Sequence, residues 1–189
     1  MNAGGIDVFQ LYSDEVRRVL SVAERHASRL QHHAVGVEHL LIALVEYGRG
    51  PVEEAFFTLD VTPGKAWTQW ESLAVPEPIV ESVQEPQSLP YTPGARQVLG
   101  LTLNEMRQLR NNYIGSAHLL LALIRYLDDP WAEPEPASEY LERLGVDLRR
   151  LREELLSRIP ADADPLARKQ KETVRGLPPI AQMDWWPGN

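Results

Sequence analysis

The chain has 189 residues and a mass of 21.4 kDa, room for one domain or two small ones. Apolar types make up 43% and charged types 24%, a folding composition rather than a disordered one. The 27 acidic and 19 basic side chains give a formal charge of -8 with no segregated basic patch, which argues against nucleic acid and an anionic membrane surface as partners. The absence of cysteine excludes disulfides, thiolate metal sites and thiol nucleophiles.

No apolar run approaches the roughly 20 residues that cross a bilayer, and Met1 to Gln10 lacks the basic start of a leader. The chain therefore reads as cytoplasmic, neither secreted nor membrane-spanning. In chain order, the first helix begins after Ser13, an N-cap hydroxyl, and carries Val16, Val19, Leu20, Ala23, Ala27 and Leu30 at three- and four-residue steps. A second holds Leu40, Leu41, Leu44 and Val45 and stops at the Gly48 to Gly50 turn. Shorter helices follow at about Pro51 to Leu59 and Pro63 to Leu73. The stretch from Ala74 to Pro90, with Pro76, Pro78, Pro86 and Pro90 among Glu77, Glu81 and Glu85, is too proline-rich for helix and reads as an acidic connector.

The pattern then repeats. Tyr12 to Tyr47 aligns without a gap on Tyr91 to Tyr126, with identities at Tyr12, Arg17, Val19, Leu20, Leu30, Gly36, His39, Leu40, Leu41, Ala43, Leu44 and Tyr47. The fifth helix starts after Thr92, with Pro93 at its first position where a missing N–H costs nothing. It carries Ala95, Val98, Leu99, Thr102, Met106 and Leu109, and the sixth carries Leu119, Leu120, Leu123 and Ile124. A short insertion around Asp128 to Pro136 reads as a loop, after which Val52, Ala55, Phe56, Leu59 and Val61 fall on Ala137, Tyr140, Leu141, Leu144 and Val146. Two more helices are expected at Ala137 to Leu144 and Asp147 to Arg158. The fold class is thus all-α, two four-helix copies packed as one pseudo-twofold unit over 9–158 (9–73, connector 74–90, 91–158). Residues 159–189 read as a flexible tail with an isolated Met183, Trp185, Trp186 cluster.

Gly36-Val37-Glu38-His39-Leu40-Leu41 and Gly115-Ser116-Ala117-His118-Leu119-Leu120, each after an amphipathic helix, resemble the Gly-Thr-Glu-His-Ile-Leu signature of the Clp N-terminal repeat. Pro90-Tyr91-Thr92-Pro93 and Leu144-Gly145-Val146 also match the N-domain of ClpC-type AAA+ chaperones. The resemblance implies a non-catalytic protein-binding module: an adaptor or accessory subunit that docks Clp ATPase or peptidase subunits or their protein clients. The alternative is a small-ligand sensor or partner-binding protein unrelated to proteolysis. These residues contain no Gly-x-x-x-x-Gly-Lys-Ser/Thr phosphate loop, since Gly64-Lys65 is followed by Ala66, so a freestanding N-domain without ATPase modules is expected, and no cofactor is implied.

In ClpC relatives this domain docks adaptors and, in some bacteria, binds phosphoarginine on substrates, one site per copy. The resemblance then implies that Glu38 grips the guanidinium with Ser13 as the hydroxyl for the phosphate, while the second copy keeps Thr92 but has Ala117 in place of the acid. One site at most is expected to survive. Ser13 and Thr92 are also sufficiently explained as caps, and a first-turn glutamate is favourable against the helix dipole with no ligand at all. His39 and His118 read as structural. His32, His33, Glu38 and His39 lack the helical i, i+4 spacing of a His-Glu-His metal face, so no metal is expected. Trp67 and Trp70 sit three apart; the copies keep only the Trp70 position apolar, which makes Trp67 the candidate for an exposed docking patch. Met183, Trp185 and Trp186 have the character of a docking motif, or of one that folds back on its own domain.

Overall fold

The computed structural model describes residues 8–73 and 89–159. Nearly all of the acidic connector and the Met183, Trp185, Trp186 cluster lie outside the described residues. A 3-10 turn over Val8–Leu11 leads into α1 (Asp14–Arg29), α2 (Val37–Tyr47), α3 (Pro51–Thr58) and α4 (Pro63–Leu73). The second copy is α5 (Pro93–Gln108), α6 (Ser116–Leu127), α7 (Pro136–Arg143) and α8 (Leu148–Arg158). The expected helices are present to within a residue or two, because each boundary carries its own chemistry.

Ser13 Oγ accepts the Val16 N–H at 3.2 Å and Thr92 Oγ1 accepts the Ala95 N–H at 3.1 Å, satisfying amides that have no partner inside the helix. The stops match as well. Gln31 and Arg110, at equivalent positions after α1 and α5, both turn left-handed with φ near 60°, as do Asp60 and Gly145 after α3 and α7. Glycine takes that conformation without a Cβ penalty, whereas at Gln31, Asp60 and Arg110 it is fixed by helix-closing backbone bonds, His32 N–H to Ala27 O, Val61 N–H to Phe56 O and Asn111 N–H to Met106 O.

The copies are stitched together rather than stacked. Tyr12 pairs with Ile114 and Val35 with Tyr91 in two isolated parallel bridges. At one, Ser13 N–H donates to Ile114 O (3.0 Å) and Ile114 N–H to Leu11 O (2.7 Å); at the other, Thr92 N–H donates to Val35 O (3.0 Å) and Val35 N–H to Pro90 O (2.7 Å). The second set is the first with the copies exchanged, the signature of a pseudo-twofold axis. Pro90, placed in the connector by its composition, thus already belongs to the folded body. Contacts between copies obey the same symmetry: α1 meets α6 as α5 meets α2, and α3 meets α8 as α7 meets α4.

The α2 and α6 helices lie together at the centre, where Leu40, Leu41, Leu44, Leu119, Leu120 and Leu123 are fully buried. This explains why those two helices are apolar around most of their circumference while α1 shows a narrower stripe. Trp70 of α4 also reaches the axis. Its ring meets His39 edge-on at 5.6 Å and Tyr140 of α7 at 5.8 Å, and Tyr140 O–H donates to Ala66 O at 2.8 Å.

Candidate functional site

Each signature histidine closes the first turn of its central helix. Gly36 N–H donates to His39 Nδ1 and Gly115 N–H to His118 Nδ1, both at 2.9 Å. A neutral ring that accepts at Nδ1 carries its proton on Nε2. His39 Nε2 lies 2.9 Å from His32 Nδ1, and His118 Nε2 faces the Asn111 carboxamide. Burial holds His118 down to about 4, so the ring is neutral near pH 7, the state in which Nδ1 can accept from Gly115.

Glu38 sits beside this cap. Its Oε1 is 3.0 Å from His39 Nδ1, and its carboxylate lies against Gly36, where any side chain would collide with it. Burial pushes the carboxyl up, but the hydrogen bond and charge of His39 together with His32 outweigh it, leaving the group below its usual value. Nδ1 of His39 thus lies against two groups, the Gly36 N–H at 2.9 Å and the Glu38 carboxylate at 3.0 Å. His32, Glu38 and His39 bring their ligand atoms within 4.8 Å of one another, a grouping that helical spacing does not reveal, and His33 is not part of it. Both ring nitrogens of His39 already meet protein partners, so a cation would have to displace the cap that the second copy makes without any of these extra ligating groups. The trio fits a hydrogen-bonded cap better than a metal centre.

The two bridges decide which hydroxyl Glu38 can work with. Thr92 is hydrogen-bonded to Val35, three residues before Glu38, while Ser13 is bonded to Ile114 at the opposite junction. The backbone of Thr92 is thus tied three residues before Glu38, and that of Ser13 three residues before Ala117, across the copies rather than within one. A residue with no signal in the sequence joins the first junction. Glu135, from the inserted loop, accepts from Tyr126 O–H at 3.0 Å and rests on Gly94 in the first turn of α5. Burial raises its carboxyl, the Tyr126 bond opposes that, and the charges of Glu38 and Glu133 push it up further. The start of α5 thus already holds a carboxylate.

A second feature is an apolar cleft between α2 and the α3–α4 corner. Ile42, Val45, Pro63, Gly64, Ala66 and Trp67, with Glu46 at the edge, line about 190 Å³, and a smaller hollow of about 100 Å³ continues along Val61 to Phe56 and Phe57 beside Arg49 and Glu53. Phe57 is 76% exposed. Trp67 forms one wall, fixed by its Nε1–H to Glu71 at 2.8 Å, by the Arg29 guanidinium 4.7 Å above its ring, and by His26. It is half-buried, packed on the core by one face only, while Trp70 is core.

The copies differ sharply here. Where the first presents Phe57, Gly64 and Trp67, the second has Glu142, Arg149 and Arg152, and Arg125, in the place of Glu46, turns back to Glu105 at 3.0 Å. A full comparison of the copies beyond the inserted loop would have flagged Phe57 and Gly64. The cleft itself is tertiary.

An all-helical body of two interlocked four-helix copies, presenting an apolar cleft and an acidic junction, defines a helical-repeat protein with features suited to contact. The chain belongs to the Clp repeat (R) N-terminal domain family, whose model matches residues 11–133. It is 33% identical over 149 residues to the negative regulator of genetic competence ClpC/MecB of Bacillus subtilis, covering 79% of this chain and 17% of that protein. It is 31% identical over 162 residues to the chaperone protein ClpB of Oceanobacillus iheyensis, covering 86% of this chain and 19% of that one. The chain thus spans under a fifth of the length of these relatives.

Among solved structures it is similar to the N-terminal domain of ClpD from Arabidopsis thaliana, with a TM-score of 0.64 at 22% identity over 82% of this chain and 99% of that one. It is also similar to the ClpV N-domain in complex with a VipB peptide, with a TM-score of 0.58 at 14% identity over 86% and 98% of the respective chains. These two likenesses show the fold. No described helix is long and apolar enough to cross a membrane.

Proposed function

We propose that this chain is a non-catalytic protein-binding module, an adaptor or accessory subunit that docks a Clp ATPase or peptidase subunit or a protein client through the cleft of its first copy. The observation that carries the reading is the contrast between copies: Phe57, Gly64 and Trp67 against Glu142, Arg149 and Arg152 on otherwise equivalent surfaces. An exposed Phe57 and a half-buried Trp67 beside an apolar hollow are the raw material of an interface anchor, and their charged counterparts would suit plain solvent exposure. That the ClpV N-domain is seen with a peptide supports the capacity of this fold to hold a segment of another chain.

Gly64→Arg tests it. A Cβ at Gly64 meets nothing within 4 Å, so the substitution sets a long charged side chain at the mouth of the cleft without disturbing the fold. Affinity capture with the wild type is expected to recover Clp subunits or a discrete client, and Gly64→Arg to lower that recovery at least tenfold at an unchanged melting temperature. Recovery that is insensitive to the substitution, or only of partners unrelated to Clp machinery, would favour the alternative of a binding protein outside proteolysis.

The phosphoarginine reading takes a different form from the one expected of a single copy. Glu38 and Thr92 now supply the carboxylate and the hydroxyl, but Glu135 stands at the helix start that a phosphate would use, and like charges there repel. Calorimetry is expected to show little binding of free phosphoarginine to the wild type and a gain of at least fivefold with Glu135→Gln. That gain should be lost with Thr92→Ala and kept with Ser13→Ala. Dependence on Ser13 instead would return the site to the same-copy pairing.

A further inference from the structure

We infer that the cleft of the first copy is the docking site of this chain's own C-terminal segment, with the Met183, Trp185, Trp186 cluster as occupant, so that the segment competes with the partner proposed above. The inference rests on that reading for the identity of the cleft and goes beyond it in naming what covers it. Three observations carry it.

The first is where the described chain ends. Arg158, the last residue of α8, donates from Nη2 to Thr58 Oγ1 at 2.8 Å and lies 3.7 Å from Glu54 Oε2, so the described chain ends against α3, the helix that carries Phe57. Met183 follows Ile159 by 24 residues, which at roughly 3.3 Å each reach up to about 80 Å. Reach is not limiting, and tethering raises the local concentration of the cluster to about the millimolar range without any new contact.

The second is size and chemistry. A cavity of about 150 Å³ takes a benzene ring, so the 190 Å³ cleft, continuing past Phe57, has room for an aromatic side chain between Val45, Pro63 and Trp67. Two adjacent tryptophans and a methionine in a polar stretch are the kind of group such a surface removes from water.

The third is charge. Glu46 and Glu53 line the hollow together with Arg49, Glu54 meets Arg158 at the exit of the chain, and between Ile159 and the cluster Arg168, Lys169, Lys171 and Arg175 crowd around the single acid Glu172 after Asp162 and Asp164. The cationic stretch must pass that acidic rim for the cluster to arrive, and opposite charges favour that path. The second copy has Arg125, Arg149 and Arg152 in place of Glu46, Gly64 and Trp67, which would repel the same cationic stretch.

The test uses the full chain. Amide and indole NMR spectra of the wild type are compared with the double variant Trp185→Ala, Trp186→Ala, and with Gly64→Arg. The double variant is expected to shift Val45, Phe57, Gly64 and Trp67 and to leave Leu148, Arg149 and Arg152 in place. Gly64→Arg should move the Trp185 and Trp186 indoles to free-peptide positions. A synthetic peptide covering Pro178 to Asn189 should bind the double variant at least tenfold more tightly than it binds the wild type, whose own segment competes.

Spectra of wild type and double variant that coincide outside residues 160–189 would overturn the inference. So would shifts that vanish on dilution, which would mean exchange between two copies of the chain. If the peptide fails to bind while Gly64→Arg still abolishes capture of a partner, the protein-binding reading stands and self-docking falls. If the peptide binds and capture is unaffected by Gly64→Arg, the reverse holds.

Discussion

Trp70→Ala is expected to cost about 3 to 5 kcal/mol of folding free energy, the range for emptying a buried aromatic site. Trp70 is 2% exposed and stands between His39 of the first copy and Tyr140 of the second, so its loss opens a void on the seam rather than inside one copy. Urea unfolding followed by far-UV circular dichroism should move to a lower midpoint while remaining a single transition, because the crossed bridges leave neither copy a separate core. Trp70→Phe should cost less than half as much, since it keeps most of the ring contacts and removes a buried indole N–H that has no hydrogen-bond partner. A loss below 1 kcal/mol for Trp70→Ala, or two resolved transitions, would contradict the interlocked packing.

Acid should unfold the protein through His118. Its folded value of about 4 lies below the ordinary 6.5, so the unfolded chain takes up a proton first as pH falls. The stability contributed by the neutral buried ring is complete above pH 6.5 and is lost as pH drops through that window to about 4. At about 1.36 kcal/mol per pH unit, the loss reaches about 3 kcal/mol. His26, also held low by burial against the pull of Glu46, and Glu38, held low by His39, act in the same direction, while the raised carboxyl of Glu135 opposes them. Unfolding free energies measured from pH 7 to 4 should fall steadily, and His118→Gln should flatten the profile though it lowers stability at pH 7 by removing the cap on Gly115. An unaltered pH slope in that variant would remove His118 from the account.

Much of this molecule was legible as sequence because its helices carry their own instructions. The hydroxyls of Ser13 and Thr92, the prolines at 51, 63 and 93, and the three- and four-residue apolar steps each act within a turn or two of chain, over which the backbone's hydrogen-bonding needs are local. The repeat was legible too, since identities such as Gly36 with Gly115 and His39 with His118 require only alignment. Family and fold followed from those.

Which residues share a site was not legible. Ser13 and Glu38 lie in one copy and look like partners, but the bridges of Tyr12 to Ile114 and Val35 to Tyr91 cross the copies and tie Thr92, not Ser13, to Val35, three residues before Glu38. Glu135 joins only because an inserted loop folds back over Gly94, and His32 meets His39 only because the turn after α1 doubles back. Sequence by itself determined the helices, their order and the two-copy plan, through short-range periodicity and capping. The tertiary structure alone decided the exchange of partners across the axis and the opening of a cleft beside Phe57, because those depend on how two nearly identical apolar faces find each other. Burial rewards apolar area without direction, and only the shape of the packed whole selects which neighbour supplies it.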